Sequence, residues 1–99
     1  MSRVTFVNGT YKDYNKALVH VEDRGYQFAD GVYEVISVIN GQLIDYDAHI
    51  KRLKRSLKEL KIPYPMDLNS IFFHVKNIIF KNVIDNGLIY LQITRGVAE

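Results

Sequence analysis

A chain of 99 residues with 13 basic and 11 acidic side chains, a formal charge of +2 and 47% hydrophobic residues has the composition of one globular domain, residues 1–99. The absence of cysteine excludes disulfides and thiolate metal centres, and so small a net charge gives no general pull on a polyanion. No apolar run approaches the roughly 18 residues of a membrane span, and MSRVTFVNGTYK lacks the apolar core of a signal peptide, so a cytoplasmic location without membrane contact is the expectation.

In chain order, VTFV and TYKD flank Asn8-Gly9, a two-residue pair that tolerates positive φ at both positions, which predicts a hairpin. Ala17 to Val21 is a further short apolar run. EDRGYQFADG, with Gly25 and Gly31, is read as a loop. Val32 to Ile39 is rich in β-branched residues, and Asn40-Gly41 before QLIDY predicts a second hairpin. The period then changes: Ile50, Leu53, Leu57 and Leu60 make one stripe of a helix with Asp45 or Asp47 as its N-cap, ended by Pro63 and Pro65. Asp67 begins a second helix with Leu68, Ile71, Phe72, Val75, Ile78, Ile79 and Val83 on one face, stopped by Asp85-Asn86-Gly87. LIYLQIT predicts a strand returning to the sheet of the first half. The expected fold is α+β, a two-layer domain with an antiparallel sheet and two helices packed on one face. ITRGVAE, ending just beyond a strand, reads as a cut.

Candidate chemistry is concentrated in two places. Lys51, Arg52, Lys54, Arg55, Lys58 and Lys61 make the first long helix basic, which fits a solvated face better than a nucleic-acid surface. Arg52 differs from the rest: at about 100° per residue it falls on the border of the apolar stripe with His49 and Ser56. A partly desolvated guanidinium there suits a phosphate or carboxylate, or an internal acid as its partner. The second place is EDRGYQFADGVYEVI, whose aromatics Tyr26, Phe28 and Tyr33 accompany two glycines. Its acids Glu22, Asp23, Asp30 and Glu34 have no local histidine at metal-ligand spacing, so no metal site is expected. No lysine has the apolar neighbours that lower an amine's pKa, and no G-x-S-x-G elbow is present.

EDRGYQFADGVYEVI, then HIKRL, then YLQITRG together resemble the N-terminal part of the D-amino-acid transaminases, which are fold-type IV enzymes dependent on pyridoxal 5′-phosphate. Branched-chain aminotransferases and aminodeoxychorismate lyase share that fold type. The resemblance covers essentially the whole chain in order and spacing; Ala29 stands where glycine is usual, and Glu99 where proline is usual.

By this resemblance Arg52 holds the cofactor phosphate, Tyr33 lies on the substrate side and helps receive the substrate carboxylate, and Tyr90 is a further candidate for the pocket wall. The intact family turns D-alanine and 2-oxoglutarate into pyruvate and D-glutamate. Its cofactor lysine and the acid beneath the pyridine nitrogen belong to a second domain absent from this chain. The expectation is therefore a fragment with no catalytic residue of its own, without transaminase activity and without retained cofactor. It is also expected to form a homodimer, with Tyr26 and Phe28 at the contact. The alternatives from the sequence are a non-catalytic dimerising module or another fold-type IV activity.

Overall fold

Turn and cap chemistry set the element boundaries in the computed structural model, which describes residues 3–98; Glu99 lies outside them. Strands β1 (Val4–Val7) and β2 (Thr10–Asp13) pair antiparallel around Asn8 and Gly9, whose φ angles of 51° and 85° match the twist a tight hairpin requires. There follow helix α1 (Arg24–Phe28), strands β3 (Gly31–Ile39) and β4 (Gln42–Leu43), helices α2 (Tyr46–Leu60) and α3 (Leu68–Asn82), and strand β5 (Gly87–Thr94). Asp45 stands at the N-cap of α2, and the Asp67 side chain accepts the Ser70 N–H at 2.8 Å to start α3. Lys61 closes α2 in the left-handed conformation, ahead of the proline that forbids its continuation.

The main sheet has the order β4-β3-β5, all antiparallel, with Gly31 opposite Thr94 at one end and Val38 opposite Gly87 at the other. The strict alternation of β3 turns Val32, Glu34, Ile36 and Val38 inward. With Ile89 and Ile93 of β5 the apolar members of this row meet Leu53 and Leu57 of α2 and Ile71, Val75 and Ile79 of α3 in one core. The shortest dimension of the molecule, 19 Å, is that of two layers, and Tyr33, Leu88 and Tyr90 on the other face of the sheet are exposed. Among the described residues no helix is long and apolar enough to cross a membrane.

Three local expectations are corrected. EDRGYQFADG is not loop throughout, because Asp23 accepts the Gly25 N–H at 2.8 Å and so starts the short helix α1, which Ala29 ends at φ 54°. The first hairpin does not join the main sheet. It forms a separate two-stranded sheet against α3, where Asn82 Oδ1 accepts from Val4 N at 2.8 Å, Asn82 Nδ2 donates to Val4 O at 2.9 Å, and Tyr11 Oη bonds His74 Nδ1 at 2.6 Å. Leu18, Val19 and Val21 of the short apolar run are exposed. Val83 is not part of the buried face of α3 but its C-cap, left-handed and exposed.

The two glycine-bearing motifs interlock. Thr94 Oγ1 donates to Asp23 Oδ2 at 3.0 Å, and Asp30 Oδ2 accepts from Arg24 Nε at 3.0 Å and Arg95 Nε at 2.7 Å. Arg95 also reaches the end of α2, with Nη2 donating to Leu60 O at 2.6 Å. A Cβ at Gly25 would overlap the methyl group of Thr94, and one at Gly31 would sit 2.9 Å from the Ile93 carbonyl oxygen. The pattern of glycine, aspartate and TRG thus builds one corner where β5 meets α1 and α2.

Candidate functional site

An acid on the inward row of β3 sets the electrostatics of the molecule. Glu34 lies between Val32 and Ile36 and is 4% exposed, a position where a carboxylate must be paired to remain charged. Its partners come from α2, where His49 and Arg52, three residues apart, share a face. Arg52 Nε donates to Glu34 Oε2 at 2.9 Å and Nη2 to Oε1 at 2.7 Å, a bidentate pair; His49 Nδ1 is 2.7 Å from the same Oε1. The Arg52 fork chiefly, with help from His49, holds the Glu34 carboxyl below the usual carboxylate range against the opposing effect of burial. The ionised oxygen only accepts, so the proton on His49 belongs at Nδ1.

Glu34 uses one edge of the guanidinium. The Nε hydrogen and one Nη2 hydrogen are taken, which leaves both hydrogens of Nη1 and the outer one of Nη2. The Arg52 side chain is 57% exposed, so the remaining edge is open to solvent. A depression of about 190 Å³ beside it is lined by Asp45, Ala48, His49 and Arg52. The Arg52 pKa is raised, first by its hydrogen bonds to Glu34, then by the Glu34 charge, with a further contribution from Tyr33.

Tyr33 itself projects from the opposite face of β3 and stacks on Tyr90 of β5, with ring centroids 5.7 Å apart and planes 13° from parallel. Tyr90 Oη donates to Gln92 Oε1 at 2.8 Å, and both rings are more than half exposed. The structure thus gathers Arg52 and His49 on Glu34 and joins Tyr33 to Tyr90, with the two groups divided between the helix-covered face and the open face of the sheet. Ser56, on the same helix border, is half-buried. Glu34 is the residue that sequence reasoning missed as the partner of Arg52. The signal was present, since the period-two pattern of VYEVISVI puts Glu34 in register with inward valine and isoleucine.

A wider groove of about 940 Å³ lies between the start of α2 and α3, lined in part by Tyr46, Phe72 and Lys76. Among the described residues no three His, Asp or Glu side chains gather as metal ligands. Every lysine of the chain is exposed.

Residues 31–99 match the family model described as Amino-transferase class IV. The D-alanine aminotransferase of Listeria innocua serovar 6a is 42% identical over 91 residues, which are 92% of this chain and 32% of that protein. The D-alanine aminotransferase of Staphylococcus haemolyticus is 41% identical over 93 residues, 94% of this chain and 33% of that protein. In fold, the chain superimposes on the branched-chain amino acid aminotransferase from Escherichia coli. The TM-score is 0.87 at 21% identity, over 97% of this chain and 34% of that one. The chain spans about a third of the length of the curated relatives it matches.

Proposed function

The chain belongs to the amino-transferase class IV family, and we propose that it is the N-terminal domain of a D-amino-acid transaminase, the part that receives the cofactor phosphate on Arg52. Pyridoxal phosphate, the cofactor of the intact family, supplies the electron sink for bond breaking at the amino-acid Cα. The observation that carries the reading is the open Nη edge of Arg52, a charged two-point donor already ordered by Glu34 before any ligand arrives. A phosphate monoester presents tetrahedral oxygens that match such an edge. Tyr33, stacked on Tyr90, would form the wall on the substrate side, where a phenol can donate to a carboxylate.

In an intact protein of this kind, the amino group of D-alanine would pass to 2-oxoglutarate, giving pyruvate and D-glutamate. This chain offers no desolvated lysine to carry the cofactor, since all its lysines are exposed. By itself it would bind the phosphate end weakly, retain no cofactor covalently at a single lysine and not transaminate. Two such domains would meet as a homodimer in the intact protein, with the exposed Tyr26 and Phe28 at the contact.

Calorimetry of the 99-residue chain with pyridoxine 5′-phosphate against pyridoxine tests the reading. Binding should depend on the phosphate and fall on the order of tenfold or more in Arg52→Ala, the scale of a hydrogen bond to a charged group, while Arg55→Ala on the same helix should leave it nearly unchanged. Equal losses in the two variants would mean that the helix contributes only a diffuse positive field.

A further inference from the structure

We infer that Glu34 and His49 are the positioning pair of the Arg52 anion site: Glu34 occupies the Nε–Nη2 edge so that the Nη edge faces an incoming phosphate, and His49 fixes Glu34. The inference rests on the reading of Arg52 as the phosphate-binding arginine and adds the two residues that orient it.

A guanidinium carries five N–H donors in a plane, and two of its edges can grip a pair of oxygens. An arginine whose side chain is 57% exposed would ordinarily sample many rotamers and offer either edge. Here the 2.9 Å and 2.7 Å bonds to Glu34 select one edge for the protein and reserve the other. Glu34 can act as a fixed template because it is 4% exposed on the central strand, between inward-facing apolar neighbours. Its Oε1 accepts from both Arg52 and His49 at 2.7 Å, so two side chains of one rigid helix set the carboxylate plane. His49, 20% exposed, also lines the depression beside the open edge.

Positioning and simple charge predict opposite signs. Glu34 is an anion next to a site for anions, so if only the local field mattered, removing its charge would tighten phosphate binding. If Glu34 orients the fork, removing its charge weakens phosphate binding even though the local potential becomes more positive.

The experiment is a titration of the 99-residue chain with inorganic phosphate, read on the ¹⁵N signals of the Arg52 guanidinium. In the wild type, phosphate should move the Nη signals while Nε, held on Glu34, stays nearly in place. In Glu34→Gln the affinity should fall about tenfold, the scale on which losing an orienting partner weakens a metal site, and the Nε signal should broaden as the fork rotates. His49→Ala should shift affinity in the same direction, and His49→Asn, whose amide N–H replaces the Nδ1 donor, should restore it. Backbone amide spectra check the fold, and if Glu34→Gln does not fold, the two His49 variants decide alone. Unchanged or tighter phosphate binding in Glu34→Gln, or in His49→Ala where that variant decides, overturns the positioning role and leaves the phosphate reading standing. Wild-type Arg52 signals that do not respond to phosphate overturn both.

Discussion

Glu34 makes stability depend on pH in a direction that can be worked out. Its carboxyl is held below the usual range in the folded chain, chiefly by Arg52, so the stabilisation is complete above the unfolded value of about 4.3 and is lost as pH falls through the lower folded value. Denaturant unfolding from about pH 6 to about pH 3 should therefore show Glu34→Gln less stable than the wild type by about 1–2 kcal/mol at the upper end, the scale of a charged hydrogen bond with one partner solvated. The gap should narrow as acid protonates Glu34, and a gap independent of pH would assign the loss to packing. Val83 is a second residue-scale case. A β-branched side chain at φ 53°, 75% exposed, bears the strain of the left-handed region with little packing in return. Val83→Gly should raise stability by about 0.5–1 kcal/mol, measured as a shift in urea midpoint at constant m-value.

At the scale of elements, the corner between β5 and the α1 segment depends on backbones approaching closely. Gly25→Ala drives a methyl group into that of Thr94 and should destabilise the chain by about 1–3 kcal/mol, as overpacking does. Adding Thr94→Ser removes the clashing methyl while keeping the hydroxyl that donates to Asp23, so the double variant should recover part of the loss in a double-mutant cycle. Additive losses in that cycle would remove the steric explanation. The same corner explains why a segment read as loop contains a helical turn: a single aspartate cap supplies the local start, and the Asp23–Thr94 bond supplies the tertiary hold.

For the whole molecule, the helices cover only one face of the sheet. Tyr33, Val35, Ile39, Leu88 and Tyr90 stand on the open face, and Tyr26 and Phe28 are exposed on α1. Contiguous apolar area of this kind favours association, so sedimentation over a concentration series should show self-association of the chain. Phe28→Glu should weaken that association if α1 forms the contact. A monomer at high concentration would count against the proposed homodimer, and association untouched by Phe28→Glu would move the contact to the open sheet face.

Much of this architecture was determined by the sequence alone, because the interactions concerned are local. Two Asn-Gly pairs place the hairpin turns, Asp67 starts α3, Pro63 follows the end of α2, and the period of three and four puts Leu53 and Leu57 in the core. The border position of Arg52 was legible for the same reason, since helical spacing fixes its angle from the buried stripe. What only the tertiary structure decided are the contacts between residues distant in the chain. Hairpin β1–β2 could pair with the main sheet or stand apart, and side chains of α3, Asn82 and His74, settle the question. The two uses weighed for Arg52, an anion or an internal acid, turn out to be compatible: a guanidinium has two edges, and the fold presents Glu34 to one of them while leaving the other open.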